Sequence, residues 1–151
     1  MSVDAAGRSF LDTNVIVYTF DDRDRPKQLV ARGLVGTALQ TGRGAISSQV
    51  VQEFLSVALR KFEHPLSVPE AREYVALVLT PLCAHFPTLS FYDHALLVRN
   101  ECGLSFYDSL ILTAAIEARC DTMYSEDFAH GTEVRGVRVV NPFVGGMRLS
   151  S

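Results

Sequence analysis

Ser9-Phe10-Leu11-Asp12-Thr13-Asn14-Val15-Ile16-Val17-Tyr18 is the stretch on which the fold turns. Phe10 and Leu11 are apolar, Asp12 to Asn14 are polar, and Val15 to Tyr18 are apolar again. That order reads as a buried strand running into a turn and a short helix. An acid directly after an apolar strand sits where an α/β sheet places its working residues, beyond the carboxyl ends of the strands.

The same alternation continues outward. Residues 26–40 have helical composition with Pro26 suited to a first turn. Gly44-Ala45-Ile46 reads as a short buried strand ending at Ser47-Ser48. A helix is predicted over about 49–62, with Gln49, Glu53, Ser56 and Arg60 forming a narrow polar stripe on an otherwise apolar surface. Another helix is predicted from Pro69 to just before Pro81, a strand over 86–89, and a helix over about 92–102 stopped by Gly103. Tyr107 to Arg119 reads as an amphipathic helix with Ile111, Leu112, Ala115 and Ile116 on one face. Strands follow at Thr122 to Tyr124 and Val137 to Val140. The pattern predicts an α/β fold, a short parallel sheet with helices on both faces, in one domain over residues 8–143. Residues 1–7 and 144–151 read as loose termini.

Composition narrows the class. The chain has 151 residues, 48% hydrophobic and 21% charged, as expected of one globular domain with a proper core. Its net charge of −3 argues against a protein that holds nucleic acid by basic contacts alone. If it handles RNA, divalent metal must offset its acids. Cys83, Cys102 and Cys120 are widely spaced, with no C-x-x-C pair, and read as reduced, mostly buried thiols; Cys83 and His85 lack the second pair of a zinc site. No stretch approaches the roughly 18 apolar residues of a membrane span, and the start lacks a signal core, so a soluble cytoplasmic protein is expected. His64, His85, His94 and His130 lie in no recognisable motif and are expected to be surface or hydrogen-bonded residues.

The chemistry concentrates in carboxylates. Asp12 follows the first strand, Glu53 lies in the second turn of a helix leaving the second, Asp108 opens a helix, and Asp127 follows Met123-Tyr124-Ser125-Glu126. On a doubly wound sheet these places converge on one edge. Four carboxylates there cannot all stay ionised without cations, and hard oxygen ligands suit Mg²⁺ or Mn²⁺. Each acid has a duller role: Asp12 in a turn, Glu53 on a solvated stripe, Asp108 in a capping box with Ser105. Asp127 competes with Glu126. An Asp-x-Asp phosphatase motif is disfavoured because Asn14 stands at its third place.

Five motifs in order resemble the PIN-domain ribonucleases, in particular the VapC-like toxins of toxin–antitoxin pairs. They are Phe10-Leu11-Asp12-Thr13-Asn14; Ser47-Ser48-x-x-x-x-Glu53-Phe54; Phe106-Tyr107-Asp108-Ser109-Leu110-Ile111; Tyr124-Ser125-Glu126-Asp127-Phe128; and Val139-Val140-Asn141-Pro142-Phe143. The resemblance runs from about Ser9 to Phe143. It implies an acidic quartet of Asp12, Glu53, Asp108 and Asp127, with Asn14 and Ser125 as supporting polar residues and Asp127 preferred to Glu126 as the acid two residues after a Ser/Thr. Tyr107 departs from a common tryptophan. The resemblance further implies metal-dependent RNA hydrolysis leaving a 5′-phosphate, a cognate antitoxin and a homodimer. Rival readings are a non-cleaving PIN-type module that binds RNA or protein, a PIN nuclease of RNA processing without an antitoxin, and a flap-type nuclease. Arg23, Arg25, Lys27, Arg60, Lys61 and Arg99 are candidate contacts to an RNA backbone, or ordinary solvated charges.

Overall fold

A computed structural model describes residues 7–144, so the predicted loose ends lie, Gly7 and Val144 apart, outside the described residues. In chain order the elements are β1 (Arg8–Leu11), α1 (Thr13–Tyr18), α2 (Arg25–Thr41), β2 (Gly44–Ser47), α3 (Ser48–Arg60) and α4 (Val68–Tyr74). A π-helical segment (Val75–Leu79) leads to α5 (Thr80–Leu82), β3 (Cys83–His85), α6 (Leu89–Cys102), α7 (Phe106–Glu117), β4 (Cys120–Tyr124), β5 (Glu133–Val134) and β6 (Val137–Val140). The six strands run in the order β3-β2-β1-β4-β6-β5, all neighbours parallel except β5 against β6. Helices flank this sheet, as the sequence predicts. None of them is long and apolar enough to cross a membrane among the described residues.

Strand β1 lies where the sheet's order reverses: β2 and β3 extend on one side, β4, β6 and β5 on the other. Leu11 pairs with Tyr124, and the Asp12 N–H donates to the Tyr124 carbonyl at 3.0 Å. Parallel register therefore sets Asp12 beside Ser125. The apolar residues on both sides of Asp12 are what hold it there: Phe10, Leu11, Val15 and Ile16 are all buried, with Met123 beneath them on β4.

Helix α3 is anchored by aromatic packing. The Phe54 ring is buried and stacks on Tyr74 at 5.0 Å, while Phe20 lies within 5.7 Å of Phe54, Phe62 and Tyr74. These rings join the end of α1 to α3 and α4, so the opposite side of α3, which carries Gln49 and Glu53, has a fixed orientation.

Four expectations need correction. The third strand is Cys83–His85, three residues before the predicted 86–89, because Phe86 is exposed, Pro87 cannot donate to a ladder, and Thr88 already caps α6. The helix from residue 68 does not stop before Pro81 but widens into a π segment and takes Pro81 into its final turn. A proline has no N–H for the carbonyl four residues back, and the wider turn removes that demand. Helix α7 is not amphipathic: Ser109 to Ala115 are all buried, because α6, β2 and β4 all pack against it. The thiols are free as expected, but only Cys120 is buried.

Two glycines of neighbouring elements should respond oppositely to alanine. A Cβ on Gly44 would stand 2.2 Å from the Ala38 Cβ, so α2 can approach β2 only over a glycine. Gly36, inside α2, has open space around it. In urea unfolding, Gly44→Ala is expected to lose about 1–3 kcal/mol through overpacking. Gly36→Ala is expected to gain roughly 0.5–1 kcal/mol of helix stability.

Candidate active site

Asp12 is the N-cap of α1 and only 5% exposed. Its Oδ1 accepts from the Thr13 N–H at 2.7 Å and its Oδ2 from the Ser125 hydroxyl at 2.6 Å. The turn role and the functional place are thus the same place. Burial pushes the carboxyl up to about 6, against the two hydrogen bonds that favour the charge, and the nearby Asp127 and Glu53 add to the rise.

Ser125, fully buried at the end of β4, is the hub. Its Oγ donates to Asp12 and accepts from the Asp127 N–H at 3.1 Å and from Asn14 Nδ2 at 3.4 Å. Asn14 Nδ2 also donates to Asp127 Oδ2 at 3.1 Å, and its Oδ1 accepts from the Glu126 N–H at 3.4 Å. Glu53 enters from α3: Oε1 accepts from the Thr13 hydroxyl at 2.6 Å and Oε2 from Gln49 Nε2 at 3.0 Å. Asp12, Glu53, Asp127, Asn14 and Ser125 therefore share one hydrogen-bonded network.

Glu126 points elsewhere. It accepts from the Tyr18 hydroxyl at 2.6 Å and forms an ion pair with Lys27 at 2.9 Å. Lys27 also reaches the Tyr18 hydroxyl at 3.2 Å and lies over the Tyr18 ring. These contacts raise the Lys27 pKa, the hydrogen bond to Glu126 most of all. Of the two adjacent carboxylates, only that of Asp127 joins the Asp12 network; Glu126 touches it through its backbone N–H alone.

Asp108 is the acid not drawn in. It lies in the first turn of α7, partly exposed, and its N–H donates to the Ser105 cap at 3.2 Å. Among the described residues its carboxylate makes no return bond to Ser105, so the capping box that was its rival role is only half formed. The nearest tie to the network is its neighbour: the Tyr107 carbonyl accepts from Gln49 Nε2 at 3.4 Å. Among the described residues, no three His, Cys, Asp or Glu side chains stand close enough together to enclose a metal ion by themselves.

Thr13 and Gln49, which hold Glu53, entered the sequence reading only within a motif and a polar stripe, not as site residues. The Gln49-x-x-x-Glu53 spacing on one helix face was the available signal. Three of the four histidines belong to other networks. His85 and His94 both bond Glu117, at 2.8 and 2.9 Å, and His130 accepts from the Asn141 N–H.

A cleft of about 570 Å³ is lined by Thr13, Asn14, Glu53 and Asp127 of the network together with Val17, Tyr18, Asp21, Ser56, Val57 and Glu126. No curated protein sequence matches the chain. Two solved structures are similar to it in fold. One is VapBC2 from Rickettsia felis bound to a DNA fragment from their promoter, at 18% identity and a TM-score of 0.57, covering 87% of this chain and 96% of that one. The other is FitAcB from Neisseria gonorrhoeae, at 18% identity and a TM-score of 0.60, covering 90% and 99%. The family model described as PIN domain matches residues 9–130, a span that begins with β1 and takes in Asp12, Glu53, Asp108 and Asp127 together. The chain belongs to the PIN domain family.

Proposed function

We propose that the chain is a metal-dependent endoribonuclease, working on Asp12, Glu53, Asp108 and Asp127, and the toxin of a toxin–antitoxin pair. The observation that carries this reading is the absence of any positive partner at the network. Among the described residues no Lys, Arg or His hydrogen-bonds to Asp12, Glu53 or Asp127; every donor is a neutral hydroxyl, amide or backbone N–H. Glu126, one residue from Asp127, has its lysine. A buried carboxylate left without a counter-charge is costly, and a divalent cation offsets that cost.

The donor set fits Mg²⁺ or Mn²⁺. An ionised carboxylate accepts at about four lone pairs, and each oxygen of Asp12 uses one in the network, so both keep capacity for an ion. Mg²⁺ keeps several waters and takes one or two carboxylates plus substrate phosphate oxygens, which suits a site whose side chains do not enclose an ion alone. Bound there, the ion would activate water and stabilise charge on the phosphoryl oxygens. Asp12 and Asp108 are assigned to the tighter ion, Asp127 to a shared second one, and Glu53 to direct or water-mediated contact. Ser125 and Asn14 orient Asp12 and Asp127, while Thr13 and Gln49 orient Glu53. RNA as substrate rests on the resemblance to PIN ribonucleases.

The toxin role is supported by the fold shared with VapBC2 and FitAcB. Val17, Tyr18 and Val57, which line the same cleft as the carboxylates, suit an antitoxin helix that lays down apolar residues and inserts a basic one. Exposed Leu89, Leu96 and Leu97 on α6 suit pairing of two copies.

Three outcomes test this. Asp12→Asn and Asp127→Asn are expected to fold but to lose at least about 100-fold in Mn²⁺-supported RNA cleavage, about 3 kcal/mol of transition-state stabilisation. Full cleavage in EDTA would refute the mechanism, and metal-dependent RNA binding without cleavage would make the chain a non-cleaving module. In cells, expression of the parent chain is expected to arrest growth, and Asp12→Asn to be harmless; a harmless parent recovered without a partner counts against the toxin role.

The third outcome is pH-dependent stability. The folded Asp12 pKa stands above its ordinary value of 3.8, so the fold binds that proton more tightly than the unfolded chain. The stability it adds is fully present below pH about 4 and is lost as pH rises through about 6. In EDTA at neutral pH, Asp12→Asn is expected to be more stable than the parent, by on the order of 3 kcal/mol at most. Thermal melts across this range read the difference, and saturating Mn²⁺ should reverse it.

A further inference from the structure

A second cleft, of about 180 Å³, opens between α3, α6 and α7. Its walls carry Gln49, Gln52, Phe91, Tyr92 and Tyr107, with His85 at its inner side. Phe91 packs on His85 at 4.5 Å and on Tyr92 at 5.3 Å, which fixes the inner aromatic wall. Tyr107 at the mouth is 66% exposed, and its one ring contact among the described residues is Phe106 at 5.4 Å. The exposed Gln52 amide has no hydrogen-bond partner among the described residues. Folding gains little from a large ring and a free amide held in the open at the rim of a cleft.

The position of the cleft gives these groups a use. Gln49 lines it and donates both to Glu53, at 3.0 Å, and to the Tyr107 carbonyl, at 3.4 Å. One amide group therefore separates the cleft from a carboxylate of the proposed catalytic network, and Asp108 follows Tyr107 directly. We infer that this cleft takes one unstacked nucleobase of single-stranded RNA, beside the phosphate under attack, with Tyr107 stacking on the base and Gln52 bonding its edge. Recognition of a splayed-out base by an aromatic face and an amide is how proteins read single-stranded RNA, and stacking is worth about 1–3 kcal/mol per base. A base held in a duplex cannot enter, so the cleft also selects for loops and unpaired segments. The inference rests on the ribonuclease reading above and adds to it the residues that choose the cleavage position.

The test is binding of a labelled single-stranded RNA in Mg²⁺ to Asp12→Asn protein, with Tyr107→Ala or Tyr107→Phe added. Tyr107 is exposed, so both variants should fold, which circular dichroism checks. Tyr107→Ala is expected to bind at least about fivefold more weakly, and Tyr107→Phe within about twofold of the parent. In the otherwise unaltered protein, Tyr107→Ala and Gln52→Ala should shift the preferred cleavage positions. RNA bound equally tightly by Tyr107→Ala overturns the cleft assignment while leaving the nuclease standing. Tyr107-dependent binding by a chain that never cleaves keeps the cleft and removes the nuclease, and no RNA binding at all overturns both.

Discussion

Asp12 is a carboxylate buried at the end of a central strand, and among the described residues no basic side chain bonds to it. Water has been removed from a group that ionises near neutral pH, and only a backbone N–H and the Ser125 hydroxyl replace it. Parallel pairing of β1 with β4 imposes this arrangement, because the Leu11–Tyr124 register leaves Asp12 and Ser125 side by side where the strands end. The apolar residues before and after Asp12 secure the pairing, so the hydrophobic core is what holds the acid out of water. Thr13 and Asn14, which carry the network to Glu53 and Asp127, follow Asp12 directly in the chain.

The two acids after Ser125 show how the surroundings divide neighbouring residues. Glu126 meets Lys27 and Tyr18 and is neutralised within the protein. Among the described residues the Asp127 carboxylate bonds Asn14 and its N–H bonds the Ser125 hydroxyl, with no basic side chain beside them. A lysine beside Asp12 would offset the cost of burying its carboxylate.

Much of the architecture was legible in the sequence because local and global signals agreed. Phe10-Leu11-Asp12 reads as a strand and a strand end, Pro26 as a first turn, and Gly103, at φ 67°, as the stop of α6. The family resemblance, not the spacing alone, preferred Asp127 over Glu126, and in the structure Glu126 pairs with Lys27 whereas Asp127 bonds Asn14. What was illegible depends on packing partners. The buried flank of α7 follows from α6, β2 and β4 closing on it, and no period within Tyr107 to Arg119 reports that. The third strand was misplaced because three residues, Cys83–His85, are too few to show alternation, whereas apolar Phe86 nearby is exposed. The convergence of Asp108 on the other acids was expected from topology. Its backbone arrives beside α3 through Tyr107 and Gln49, while its carboxylate stays apart from the other three.

The most direct measurement is anomalous diffraction from crystals of this protein soaked in Mn²⁺. A peak is expected with oxygen ligands at roughly 2.0–2.2 Å, among them an oxygen of Asp12, with the Asp108 carboxylate turned toward it. Crystals saturated with Mn²⁺ that show no ion at Asp12, or place it only at unrelated surface acids, would contradict a metal-dependent site at this edge of the sheet.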